Sequence, residues 1–81
     1  MADKIRIMTV AKVWERQEAA FVEVVFLESA RFYKLARENP GFREALALLQ
    51  QASADGMAVE VELTEPHGDI IQDVRRAQPK T

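Results

Sequence analysis

The chain has no cysteine, and that absence removes disulfides, zinc ribbons, thiolate catalysis and iron–sulfur ligation together. It has one histidine, His67, too few for the common histidine-based metal sites. No apolar run approaches the roughly 18 residues that a membrane-spanning helix needs. The opening Met1-Ala2-Asp3-Lys4-Ile5-Arg6 lacks the apolar stretch and small-residue cleavage site of a secretory signal, so the cytoplasm is the expected location. A basic surplus is missing too. Eleven Lys and Arg against thirteen Asp and Glu give a net charge of −2, which disfavours nucleic acid as a partner. There is no Gly-rich phosphate loop and no G-x-S-x-G, and no nucleophile–base pair with an orienting third group stands out. On those grounds the chain is not expected to be an enzyme, and no cofactor is implied.

What remains is ordinary for a soluble globular domain: 81 residues, 48% hydrophobic and 30% charged. A domain of this size buries only roughly 60–65% of the surface its unfolded chain exposes. Without a bridge or a metal to supplement that thin core, self-association is expected.

The clearest element lies in the middle. Asn39-Pro40-Gly41 reads as a helix start, with Asn to cap and Pro at the first helical position. Phe42, Ala45, Leu46, Leu49 and Ala52 then form one apolar stripe at the helical period, and Gly56 suits a left-handed stop. The spacing predicts a helix over about 40–54. Met57, Val59, Val61 and Leu63 alternate with Ala58, Glu60, Glu62 and Thr64, which predicts a half-buried strand. Glu65-Pro66-His67-Gly68-Asp69 is a turn by composition, and Ile70–Arg75 returns as a second strand with Ile70 and Val74 facing in. Pairing Glu65 with Ile70 would set Glu60 opposite Arg75.

The first half carries no Gly, Pro, Asn or Asp from Ala11 to Arg37, so turn markers are missing. Its Val- and Phe-rich segment Phe21–Leu27 nevertheless favours strands. Strands are expected over about 4–14, 20–28 and 30–36, with Ile5 and Ile7 inward at first and a bulge near Met8-Thr9. The turn at Glu15-Arg16-Gln17-Glu18 is the least marked. The resulting fold class is α+β, mainly β: a small OB-like five-stranded barrel of order β-β-β-α-β-β over residues 1–77, with 78–81 as a tail. The competing arrangement is β-α-α-β-β, with one long helix over 11–37 mediating dimerisation.

Phe32-Tyr33-Lys34-Leu35, Asn39-Pro40, Leu46, Leu48, Ala52, Gly56 and Val59-Glu60-Val61 together resemble the strand–helix–strand core of the small OB-fold B subunits of ring-forming bacterial toxins, the subtilase-cytotoxin B type in particular. The resemblance spans about residues 30–63. It implies a fold and a tendency to form rings. Those subunits are exported and disulfide-bonded, this chain lacks cysteine, and no glycan-binding residue carries over.

Three groups of residues are candidates for function. Glu28, Arg31 and Tyr33, with Ser29 and Trp14, could bind a small polar ligand, Arg31 reading an anion; a solvated strand corner explains them as well. Trp14, Phe26, Phe32 and Tyr33 lie on strands where an OB-fold stacks bases or sugars, although core packing would place Phe26 and Phe32 inside and leave Trp14 and Tyr33 partly buried. His67 with Asp69 is a weak metal candidate inside a loop that turn chemistry already explains. If Val22, Val24 and Tyr33 face outward, they form an apolar patch for a partner subunit. The expectation is thus a self-associating interaction or ligand-binding module with a protein or small-molecule partner. Single-stranded nucleic-acid binding is one alternative. A small enzyme using Arg31, Tyr33 and a carboxylate at a subunit junction is the other.

Overall fold

The computed structural model describes residues 4–16 and 18–77. The expected tail at 78–81 lies outside them. The elements run β1 (Ile5–Trp14), β2 (Phe21–Phe26), β3 (Phe32–Ala36), α1 (Phe42–Asp55), β4 (Ala58–Leu63) and β5 (Ile70–Arg76). The expected order β-β-β-α-β-β is therefore the observed one, and residues 11–37 hold strands rather than a long helix. The strands close on themselves in the order β1-β2-β3-β5-β4. Closure is uneven. The parallel β3–β5 seam has two paired positions, Lys34↔Ile70 and Leu35↔Ile71, while the antiparallel neighbours pair over four or five.

In β2, β3 and β4 the interior follows strict alternation. Val22, Val24 and Phe26 of β2, Tyr33 and Leu35 of β3, and Val59, Val61 and Leu63 of β4 are buried. Ala45, Leu49 and Ala52 carry the apolar stripe of α1 onto this core. Each fully buried Val or Leu side chain contributes on the order of 1.5–3 kcal/mol.

β1 corrects the expected register. Met8 and Val10 face inward, whereas Ile5 and Ile7 are exposed. The irregularity falls between Val10 and Lys12 rather than at Met8-Thr9. Beyond it Val13 turns to the core and Lys12 and Trp14 to the outside. One extra residue reverses the faces, which lets a ten-residue strand pair with β4 at its start and β2 at its end.

The weakly marked turn after β1 is held from outside. Arg37 donates from Nε to the Ala19 carbonyl at 2.7 Å and from Nη2 to the Arg16 carbonyl, and pairs with Glu15 at 3.7 Å. Helix α1 begins two residues later than expected. Asn39 does not cap it: its Oδ1 accepts from Gly41 N–H at 2.8 Å, and its Nδ2 donates to the Gln72 carbonyl at 2.8 Å, tying the loop to β5. Gly56 ends the helix at φ 67°, ψ 31°, as its position predicted.

In the last hairpin Glu60 does oppose Arg75. A shift between Glu62 and Leu63 then brings Ile71 opposite Leu63, so Ile71 and Val74 are buried while Ile70 is half-exposed. None of the helices among the described residues is long and apolar enough to cross a membrane.

Candidate functional site

Alternation that buries Val22, Val24 and Tyr33 turns their neighbours outward. Glu23 pairs with Lys34, Val25 with Phe32 and Phe21 with Ala36 across β2–β3, and Lys12 and Trp14 pair with Val25 and Glu23 across β1–β2. The outer face of the three strands is therefore a continuous strip. At its centre the Trp14 and Phe32 rings lie 5.6 Å apart, tilted by 33°. The Lys12 ammonium sits 5.0 Å from the Trp14 ring, within cation–π range. Phe32 is 52% exposed and Phe21 39%, so the strip presents aromatic surface to solvent. Leu27, just past β2, is 71% exposed. Cross-strand Glu23 and Lys34 add one charge of each sign.

This arrangement corrects the proposed interface. Val22, Val24 and Tyr33 are 0%, 0% and 1% exposed and belong to the core. The charges decide the parity: Glu23 and Lys34 cannot be buried cheaply, so the residues flanking them go in. Phe32, expected in the core, is outside instead, and Tyr33, expected at the margin, is buried edge-on against Phe26 at 5.2 Å. Phe21, Val25 and Phe32 were legible as an outer row from the positions of Glu23 and Lys34.

The second candidate group is brought only partly together. The Tyr33 hydroxyl donates to Ser29 Oγ at 3.3 Å, and the Arg31 guanidinium lies 5.8 Å from the Tyr33 ring. Arg31, Ser29 and Tyr33 thus form one corner. Glu28 turns away from it. Its carboxylate accepts from Thr9 N–H at 2.7 Å and from the Thr9 hydroxyl at 2.8 Å. Those two bonds, the backbone one first, hold the Glu28 carboxyl below its ordinary pKa. Trp14 stands on the outer strip, on the far side of β3's plane from the Tyr33 side chain, and does not complete this group.

The loop before β5 behaves as a turn. Gly68 N–H donates to the Glu65 carbonyl at 3.0 Å, and the Asp69 carbonyl accepts from Lys34 N–H at 2.8 Å. No group of three or more potential metal ligands occurs among the described residues, so His67 and Asp69 gain no third donor.

Comparison with known proteins bears on the fold. No family model matches the chain. No curated protein matches it. Two solved structures do. A crystal structure of pro-protein-glutaminase superposes with a TM-score of 0.78 at 22% identity, over 95% of this chain and 27% of that one. A mutant of pro-protein-glutaminase superposes with a TM-score of 0.74 at 20% identity, over 90% of this chain and 25% of that one. The chain thus spans about a quarter of the length of the structures it matches, and at such identity the likeness is one of fold. Neither is a toxin B subunit. The finding also corrects the expectation that the chain is not an enzyme: both matching structures are of an enzyme's pro-form, so missing sequence motifs do not set this fold apart from enzymes.

Proposed function

We propose that the chain is an OB-like recognition domain that associates with a second copy of itself through the outer strip of β1, β2 and β3. The observation that carries this reading is the solvent-facing Trp14–Phe32 pair, set among Phe21 and Val25. Aromatic side chains at the centre of a strip bring large contact area at small entropic cost, which suits them to be interface anchors. The strip also carries both signs of charge, Lys12 and Lys34 beside Glu23, so a two-fold pairing has opposite charges to set against each other. The strand order, with a helix between the third and fourth strands and a parallel seam between the third and fifth, supports the OB-like part of the reading. A chain without cysteine needs no oxidising compartment to fold, and the proposal keeps it in the cytoplasm.

A second reading rests on the matching structures. There a domain of this shape belongs to an enzyme precursor about three and a half times its length. On that reading the same strip docks against a larger enzyme, as part of it or as its partner.

Native mass spectrometry of the wild type and of Phe32→Glu tests the first reading. A dimer or ring that falls to monomer in the variant, with unchanged circular dichroism, supports it. A wild type that is monomeric at high micromolar concentration overturns it and directs the work to an enzyme partner. Stoichiometric binding of a mixed-sequence single-stranded oligonucleotide, lost at moderate salt and in Trp14→Ala, would instead make the strip a nucleic-acid face.

A further inference from the structure

None of the residues of the next site belongs to the β1–β2–β3 strip, and the inference goes beyond the function proposed above. Where α1 hands over to β4, the left-handed Gly56 turns the chain back sharply, and Met57 N–H donates to the Ala52 carbonyl at 2.9 Å. The small Ala52 on the helix leaves space between Leu48, Met57 and Val59, and Gln51 and Ala58 complete the lining. The result is an open-mouthed pocket of about 110 Å³. Its wall is mainly apolar, and one charged side chain lines it, Arg76.

Arg76 is there for a reason of register. It lies directly opposite Val59 across β4–β5, so the two side chains leave the same face of the sheet. Val59 is buried, at 1% exposure. Arg76 therefore emerges on the inner side of the sheet, at its end, while its neighbour Arg75 points out to Glu60, Glu62 and Asp73. The Arg76 side chain has neither a hydrogen bond nor an ion pair among the described residues, and no carboxylate lines the pocket. Helix α1 ends beside it with no basic residue in its last turn, so the free carbonyls there oppose an anion that Arg76 must hold against them. An anion arriving here would thus depend on Arg76 for charge, with the Gln51 amide the other polar side chain of the lining.

The geometry points to a binding site for a small branched apolar group that carries a carboxylate. An engineered cavity of about 150 Å³ takes up benzene, so 110 Å³ suits a four- or five-carbon branched chain. The unbranched, flexible Met57, 51% exposed, forms an adaptable wall. The guanidinium offers a planar pair of donors to the carboxylate at the mouth. That chemistry exists in a free aliphatic acid and in the C-terminal leucine or valine of a peptide.

The probe is 4-methylpentanoate, followed by amide chemical shifts of the ¹⁵N-labelled chain, with 4-methylpentanamide as the uncharged control and acetyl-glycyl-leucine as the peptide arm. Saturable shifts near millimolar acid are expected, centred on Leu48, Ala52, Met57, Ala58, Val59 and Arg76. The amide and Arg76→Gln are each expected to weaken binding tenfold or more. Arg76 is exposed, so its variant keeps the fold and its spectrum reports that directly. Tighter binding of the dipeptide than of the free acid identifies a peptide C-terminus as the source; the reverse identifies a metabolite acid. Absence of saturation, shifts centred elsewhere, or equal binding of acid and amide overturns the assignment.

Discussion

The carboxylate of Glu28 occupies the place beside Thr9 that the next residue of a paired strand would otherwise take. Thr9 O accepts from Leu27 N–H at 2.9 Å, continuing the β1–β2 ladder by one bond, and Thr9 N–H then donates to Glu28 Oε1. The Thr9 hydroxyl donates to Oε2. A side chain thus closes the ladder where β2 leaves the sheet, and no buried charge is needed to do it.

Protonation should weaken that closure. The folded-state pKa of Glu28 is depressed, so its contribution to stability is present above the ordinary carboxylate range and is lost as pH falls through the lower, folded value. Glu28→Gln is expected to lower the melting temperature by a few degrees at neutral pH. The gap between variant and wild type should close on acidification. A gap that persists unchanged at the acid end would show that packing, rather than the charged hydrogen bonds, is what the variant loses.

Arg75 holds three carboxylates on the outer face of β4–β5: Glu60 at 3.0 Å, Glu62 at 2.8 Å and Asp73 at 3.1 Å. All four side chains are partly exposed, so each pair alone is worth little. Removing their common partner leaves like charges side by side on neighbouring strands. Arg75→Ala is expected to cost about 1 kcal/mol, and urea unfolding at low and high salt should show the cost shrinking as ions screen the repulsion.

How far the fold was legible depended on where polar residues interrupt the apolar ones. In α1 and β4 they do so regularly, whereas the adjacent Ile70 and Ile71 of β5 leave the inward face unmarked. Glu60 and Glu62 mark the outside of β4, and the stripe from Phe42 to Ala52 marks one side of α1. In β1 the apolar residues Ile5, Ile7, Met8 and Val10 occupy both parities, so alternation alone does not choose a face. The choice is made by pairing with β4 before the irregularity and with β2 after it. Phe32-Tyr33 poses the same problem with two adjacent aromatics, and only the Glu23–Lys34 pairing resolves it. The Arg76 pocket had no sequence signal, because it depends on a small helix residue, Ala52, and a cross-strand register meeting at one end of the sheet.

Gly56 gives a stability test that is free of packing changes. Its φ of 67° lies in the left-handed region, yet an added Cβ would meet no atom within 4 Å. Gly56→Ala is therefore expected to cost about 1 kcal/mol from backbone conformation alone. Gly56→Asn should cost less, since Asn tolerates this region better. Chemical denaturation of the two variants checks the order.

The sharpest separation of core from surface comes from one substitution made at two neighbouring sites. Val24 opposes Tyr33 and Val25 opposes Phe32, so Val24 and Phe32 lie on adjacent strands but on opposite faces. Val24 is 0% exposed and Phe32 52%. A glutamate at Val24 would bury a carboxylate among Tyr33, Phe26 and Leu35 with no cation to meet it, at a cost of about 3–5 kcal/mol. That is comparable to the whole stability of many domains this small. Val24→Glu should therefore lose its native circular dichroism at neutral pH and regain part of it in mild acid, where the carboxylate is neutral. Phe32→Glu should melt within about 1 kcal/mol of wild type. A folded Val24→Glu with a smaller native mass would instead make Val24 the interface, and would require the parity of β2 to be the reverse of the one that Glu23 and Lys34 impose.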